Sequence, residues 1–194
     1  MPTKQIILAS SSPRRIQMMK ERGFDPVIIT PDVDETVPEG AKPHVAVMFL
    51  ALKKALYVEG VALERGYANG ETVIAADTTV VWGGCMIGKP ENPKEAFDIL
   101  KKLCGNPHLV LTGVAVLKTG STDRKVFYET SKVFFKEYTD EEIIAYANTK
   151  EPYDKAGGYA IQGTWGKHVD RIEGDRDNIM GFPWARIFPH LQIT

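Results

Sequence analysis

Two adjacent arginines, Arg14 and Arg15, follow three serines and a proline in the stretch SSSPRR at 10–15. The residues from Lys4 to Ala9, with the apolar run Ile6, Ile7, Leu8 and Ala9, read as a short buried strand, and the pattern from Pro13 to Arg22 reads as a helix stopped by Gly23. Ser12 suits the N-cap and Pro13 the first helical position. Cations are disfavoured in that turn by up to ~1 kcal/mol each, because the helix macrodipole is positive there. Two arginines at this place therefore call for something negative. A bound phosphate is one answer, since N–H groups at a helix start favour anions and the guanidinium fork matches phosphate oxygens. An ion pair with Asp or Glu side chains is the other.

Asp77 lies inside the otherwise apolar run VIAADTTVV. A buried carboxylate needs hydrogen bonds, a cation or a metal, so Asp77 is either a strand-end residue capping a turn or a metal ligand or general base. Asp34 and Glu35, in the polar loop PDVDETVPEGAKP, are its candidate partners. A few carboxylates combined with phosphate oxygens suit Mg²⁺, although acidic loops are usually just solvated. Lys89 in IGKP and Lys155 in EPYDKAGGYAIQG sit beside glycine or proline, and each taken singly reads as an exposed lysine. The glycines of KAGGYAIQG imply close approach of the backbone to something. Gln162 offers one amide donor and acceptor set that matches the N3–H and a carbonyl of uracil or thymine. Cations for phosphates, carboxylates for a metal and a water, and an amide for a base together describe a nucleotide-hydrolysing site.

The elements that must carry these groups are legible from periodicity. PVIIT reads as a second strand, and Val45 to about Glu64 as a helix with Val45, Phe49, Leu52 and Leu56 on one face, weakened at Gly60. ETVIAADTTVVWGG reads as two strand-like halves around Asp77, and NPKEAFDILKKL as a helix after Pro93. HLVLTGVAVLKTG and RKVFYETSKVFFKEY form an antiparallel pair across a turn. Thr139 and Glu142 make a capping box that starts TDEEIIAYANT, and FPWARIFPHL is a short terminal helix interrupted at Pro189. The expected fold class is α/β with a mixed parallel and antiparallel sheet flanked by helices.

Bulk properties narrow the function classes. The net charge of −1 over 194 residues gives no global field for nucleic acid or an acidic membrane, so any anion site is local. No apolar run reaches the ~18 residues of a membrane span, and no secretory leader is visible, which points to the cytoplasm. Cys85 and Cys104 are too few and too far apart for a zinc motif or a disulfide framework and read as buried free thiols. The chain has no G-x-G-x-x-G at its first strand–helix turn, no P-loop, no H-E-x-x-H and no G-x-S-x-G. His44, His108, His168 and His190 lack metal-ligand spacing, and His168 and His190 read as surface or satisfied residues.

The chain resembles the Maf family of nucleoside triphosphate pyrophosphatases over nearly its whole length. The resemblance rests on SSSPRR at 10–15, VDET at 33–36, LALKKA at 50–55, AADT at 75–78 and GKP at 88–90. It continues through LTGVAV at 111–116, EPYDKAGGYAIQG at 151–163 and NIMGFP at 178–183. It implies one domain over 1–194, with an elongated mixed sheet similar to that of the inosine triphosphate pyrophosphatases and an active-site cleft between two lobes. It implies a Mg²⁺- or Mn²⁺-dependent split of a nucleoside triphosphate into monophosphate and pyrophosphate, by water attack at the α-phosphorus. By the same resemblance Asp77 activates water or binds metal and Glu35 acts with the metal. Lys54, Lys89 and Lys155 stabilise phosphate charge, Arg14 and Arg15 bind phosphate, and Ser10 and Ser12 supply hydroxyls near it.

Within the family the residues Arg14, Thr78 and Gln162 match the dTTP/UTP subgroup, with Thr78 and Gln162 placed to read the pyrimidine edge. Modified pyrimidine nucleotides are further candidates. The resemblance allows a homodimer. Other readings are a 7-methyl-GTP pyrophosphatase and a nucleotide-binding regulator of division or septum formation. Cys104-Gly105, GDRDN at 174–178 and His44 depart from the family pattern.

Overall fold

The computed structural model describes residues 5–191. Strands β1 (Ile6–Ala9) and β2 (Val27–Ile28) flank helix α1 (Pro13–Glu21) in sequence, and helix α2 (Pro43–Glu64) leads into β3 (Thr72–Trp82). The hairpin partner β4 (Cys85–Ile87) and helix α3 (Pro93–Leu103) come next. The long strands β5 (His108–Lys118) and β6 (Arg124–Phe135) then precede helix α4 (Asp140–Ala147). Short 3₁₀ turns fill 151–168, and strand β7 (Val169–Glu173) with the short helices α5 (Arg176–Ile179) and α6 (Trp184–Ile187) completes the order. No helix among the described residues is long and apolar enough to cross a membrane.

The sheet runs β2-β1-β3-β5-β6-β7, with β4 paired to β3. β1 is parallel to both β2 and β3, whereas β3–β4 and β6–β7 are antiparallel. The turn between β5 and β6 is too short for a crossover, which leaves only the antiparallel arrangement for that pair. The mixed α/β architecture expected from the sequence is the observed one. Lys4, assigned to the first strand by its sequence, lies outside the described residues.

Two compact units divide the chain. One comprises the chain up to Asp77, Thr112–Glu129 and the segment from Gly181 onward; the other comprises Thr78–Leu111 and Thr130–Met180. The core of the first unit joins Ile7, Ala9 and Val73 of the strands to Ala51, Ala55, Val58 and Ala62 of α2. Small side chains on that face of the helix let it lie close to β5. A Cβ added at Gly113 of β5 would stand 2.3 Å from the Val47 carbonyl carbon and oxygen. The face with Val45, Phe49 and Leu56 is therefore the outward one, each side chain there being exposed. Gly60 does not interrupt the helix, because α2 runs through it to Glu64.

The core of the second unit is aromatic: Phe135, Tyr138, Tyr146, Tyr159 and Trp165 pack with Leu100, Leu103 and Ile143. His108 and His168 are buried there too. Asn92 caps α3 by accepting from the Glu95 N–H, and the expected Thr139–Glu142 capping box opens α4.

Several local expectations are corrected. β3 is one continuous strand through Asp77 rather than two halves, because the β-branched residues on both sides keep the chain extended. PVIIT contributes only Val27–Ile28. Neither cysteine is a buried thiol. Cys85 is exposed because it follows the Gly83-Gly84 turn, whose φ values of 58° and 82° match a two-residue hairpin. Cys104 is half-buried at the end of α3, where its Sγ accepts from the Tyr138 N–H at 3.4 Å.

Because the neighbours of Gly113 are backbone atoms that cannot rotate away, Gly113→Ala is expected to cost about 3 kcal/mol or more, at the upper end of overpacking effects. Urea denaturation of the purified variant measures this directly, and a loss below about 0.5 kcal/mol would show that α2 can withdraw from β5 freely.

Candidate active site

The parallel register Ala9↔Ala75 sets the carboxyl end of β1 beside the middle of β3. Ser10 follows β1 immediately, and Asp77 lies two residues beyond Ala75, so both lie just past the last paired residues of the two strands. Ser10 is buried and its Oγ accepts from the Ser12 N–H at 3.1 Å. Ser12 takes the N-cap place of α1, as expected, yet its side chain makes no capping hydrogen bond. The first turn carries no acidic residue and opens with Pro13, Arg14 and Arg15. The helix start is thus left electropositive by its own sequence.

Arg14 and Arg15 are both half-buried. The Arg15 Nε donates to the Gly181 carbonyl at 2.8 Å and its Nη1 to the Ala76 carbonyl at 2.9 Å, which ties α1 to the residue before Asp77. Burial lowers the pKa of the Arg15 guanidinium, and Asp77, followed by Glu35, acts against that shift. Carboxylates therefore face this turn electrostatically, as the ion-pair reading of the arginines expects.

Lys54 is the centre of the arrangement. It sits on the buried face of α2 between Ala51 and Ala55, and its Nζ lies 2.6 Å from Asp77 Oδ1 and 2.8 Å from Glu35 Oε1. The side chains of Lys54 and Asp77 are only 10% and 14% exposed, so loss of either charge would leave the other poorly compensated away from water, while Glu35 reaches in from solvent at 57%. The loop that delivers Glu35 is held locally. Asp34 Oδ1 accepts from the Thr36 N–H at 3.0 Å and from its hydroxyl at 2.7 Å, and these bonds hold the Asp34 pKa below its usual value. Lys53 donates to the Asp34 carbonyl at 2.5 Å. Consecutive lysines of one helix thus grip consecutive residues of one loop. Asp34, a candidate partner of Asp77 in the sequence, is hydrogen-bonded within its own loop, and Lys53, which sequence reading passed over, ties that loop to α2. Its only sequence signal was the doublet Lys53-Lys54 itself.

The remaining candidates belong to the second unit. Thr78 is half-buried beside Asp77 in β3, and Lys89 is exposed in the loop after β4. Lys155 is half-buried, its Nζ donating to the Glu151 carbonyl at 2.7 Å and to the Asp154 carboxylate. Gln162 is exposed in the turn closed by the Gly163 N–H to the Ala160 carbonyl at 3.2 Å. The Gly157 N–H donates to the Gly88 carbonyl at 3.0 Å, which joins the KAGG segment to the GKP loop. The glycines do mark close backbone approach, but to the protein itself. A Cβ at Gly157 would stand 2.7 Å from Val80 Cγ2, and one at Gly163 would overlap Glu151 Oε1.

Among the described residues no group of three or more His, Cys, Asp or Glu side chains forms a complete cage for a metal ion. The pair Asp77 and Glu35 still fits a divalent cation of the kind that takes one or two carboxylates and completes its octahedron with water and phosphate oxygens. Each carboxylate has two oxygens, so an ion can share them with Lys54.

Asn has nearly the shape of Asp and its carbonyl oxygen can still accept from Lys54. Asp77→Asn is therefore expected to melt within a few degrees of the parent protein while losing nucleotide turnover by about 100-fold or more, the scale of a lost general base. Near-normal turnover in this variant would remove Asp77 from the chemistry.

Comparison with known proteins places the chain. The model of the family described as Maf-like protein matches residues 5–193. A dTTP/UTP pyrophosphatase of Caldicellulosiruptor bescii is 44% identical over 189 residues, covering 97% of this chain and 94% of that protein. A dTTP/UTP pyrophosphatase of a Geobacillus species is 44% identical over 183 residues, covering 94% of each chain. Among solved structures, the Staphylococcus aureus Ham1 protein covers 96% of this chain and 100% of its own, at 17% identity and a TM-score of 0.45, a likeness too loose to carry an argument. With a family model spanning almost every residue, and relatives alike over nearly the full length, the chain belongs to the Maf-like protein family.

Proposed function

We propose that this protein hydrolyses dTTP and UTP to the nucleoside monophosphate and pyrophosphate. The observation that carries the reading is the Lys54–Asp77–Glu35 cluster beside the arginine-bearing start of α1, in a chain 44% identical to a dTTP/UTP pyrophosphatase. The acidic and basic groups of that cluster are the two kinds that hydrolysis of a triphosphate requires.

The triphosphate lies against the helix start, where Arg14 and Arg15, the Ser10 and Ser12 hydroxyls and the first-turn N–H groups meet its oxygens. A water attacks the α-phosphorus, the bond from that phosphorus to the bridging oxygen breaks, and pyrophosphate leaves. Asp77 takes the water's proton while its carboxylate stays bonded to Lys54. The Lys54 ammonium has three protons, of which two serve Asp77 and Glu35, so the third can donate to a phosphate oxygen as charge shifts toward the leaving group. Mg²⁺ or Mn²⁺ held by Asp77 and Glu35 would neutralise triphosphate charge and fix its oxygens. No covalent enzyme intermediate is needed, because phosphoryl transfer is catalysed mainly by positioning and charge stabilisation.

Lys89 and Lys155 add positive charge for the leaving pyrophosphate, and Thr78 and Gln162 read the base. The exposed Gln162 amide can donate to a pyrimidine carbonyl and accept from N3–H. A base lacking that complement leaves the amide unpaired and is rejected.

Purified protein given a panel of nucleoside triphosphates with Mg²⁺ is expected to release monophosphate and pyrophosphate fastest from dTTP or UTP, as read by anion-exchange chromatography. Gln162→Ala is expected to narrow the preference for dTTP over CTP by about 10-fold, the worth of one or two hydrogen bonds. Orthophosphate and a nucleoside diphosphate as products would refute the reaction, and tight binding without turnover would make the protein a nucleotide sensor.

A further inference from the structure

His108, the first residue of β5, plays no part in the proposed chemistry, yet it is 2% exposed and hydrogen-bonded through Nε2 to the Tyr159 hydroxyl at 2.7 Å. Tyr159 is buried as well, and it is the aromatic residue of KAGGYAIQG, between the glycine pair and Gln162. The two rings meet edge to face at 5.4 Å, and Phe135 packs against both, at 5.0 Å from His108 and 4.8 Å from Tyr159. Burial pushes the His108 pKa down to about 4, so the ring is neutral wherever a cytosolic enzyme works and the hydrogen bond persists.

The place of this bond in the chain gives it a consequence. Before Tyr159, Gly157 and Gly158 have φ values of 74° and 68° and resist no bending of their own. The segment on that side is held by the Gly157 N–H to the Gly88 carbonyl and the Gly158 N–H to the Lys155 carbonyl, both at 3.0 Å. After Tyr159, the turn Ala160–Gly163 carries Gln162 outward and ends at Thr164, whose hydroxyl donates to Glu151 Oε2 at 2.9 Å. Tyr159 and Thr164 are thus the hydrogen-bonded side-chain anchors on either side of Gln162, with Ile161 between them packed against the aromatic core. The Thr164 anchor lies in an exposed position, whereas the Tyr159 anchor is inside the aromatic core, where a mispaired hydroxyl or imidazole is expensive.

We propose that His108 and Tyr159 are a positioning pair for base selection: their buried hydrogen bond fixes the root of the Ala160–Gly163 turn and so sets where the Gln162 amide stands. This rests on the reading of Gln162 as the residue that meets the base. Neither residue touches substrate. The pair acts by denying the turn the small displacements that would let Gln162 accommodate a mismatched base.

The test uses Tyr159→Phe, which keeps the ring and its packing and removes only the hydroxyl, with His108→Gln and His108→Phe beside it. Two quantities are read for each: kcat/KM for dTTP over that for CTP, and amide hydrogen exchange at Gly158 and Gly163. Tyr159→Phe and His108→Phe are expected to lower the dTTP preference by about 10-fold and to speed exchange at both amides. His108→Gln, whose amide can still bond the hydroxyl, is expected to recover most of each. A purely structural role would lower activity on every nucleotide alike and leave the ratio unmoved, which overturns the proposal. Unchanged exchange in Tyr159→Phe overturns it as well. Gln162→Ala run in parallel separates the two readings. If that variant alone keeps the parent preference, base reading by Gln162 fails, while exchange still decides whether the pair holds the turn. Should Tyr159→Phe fail to fold, the contrast between His108→Gln and His108→Phe carries the same decision.

Discussion

One ammonium shared by two carboxylates governs the first unit. Lys54 has Asp77 at 2.6 Å and Glu35 at 2.8 Å, and it is nearly buried. Removing the lysine would leave the nearly buried Asp77 carboxylate without its counter-charge, whereas Asn at position 77 would keep an acceptor for Lys54 and leave it the Glu35 carboxylate. Loss of the lysine is of the kind that costs about 3–5 kcal/mol when a buried pair is broken. The geometry therefore holds three elements in a fixed relation: α2 through Lys54, β3 through Asp77, and the loop after β2 through Glu35. Arg15 adds a fourth by bonding the Ala76 carbonyl from α1. The same contacts that keep the charges compensated bring two carboxylates, an ammonium and an electropositive helix start together.

That relation depends in turn on small side chains. α2 meets the sheet with Ala46, Ala51, Ala55 and Ala62, and Gly113 admits its backbone where any Cβ would collide with Val47. A helix packed through leucines would stand further out, and a lysine on it would need a more extended conformer to reach Asp77. Bulky residues such as Phe49 and Leu56 consequently face outward. The close approach supplies less buried area per residue than large side chains would, and dispersion contacts between close-packed backbones compensate for part of it.

Much of this was legible in the sequence. The α/β class, the strand ending at Ala9, the helix after Pro13 and the Thr139–Glu142 capping box follow from periodicity and cap chemistry, and the structure has them. The oddity of two arginines in a helix's first turn and of an aspartate in an apolar run led to residues that do lie in one unit. Lys54 was different: inside a helix pattern it looks like any surface lysine, and only the family resemblance singled it out. The orientation of α2 was hidden because hydrophobicity ranks Val45, Phe49 and Leu56 above alanine, whereas close packing against Gly113 selects alanine. β7 escaped notice because its five residues, VDRIE, are too few to show a period, and the glycine-rich stretch around KAGGYAIQG was read as close backbone approach without its 3₁₀ turns. His108 and Tyr159 are distant in sequence and nothing local links them; their bond is a product of the tertiary fold alone.

The central claim is that water attacks the α-phosphorus next to Asp77. Release of monophosphate and pyrophosphate does not by itself establish this, because attack at the β-phosphorus with monophosphate leaving gives the same two products. Turnover of dTTP in ¹⁸O-labelled water, with both products examined by mass spectrometry, separates them. The account predicts one ¹⁸O atom in the monophosphate and none in the pyrophosphate. Label in the pyrophosphate would move the reacting phosphorus and contradict the geometry assigned to Asp77, Lys54 and Glu35.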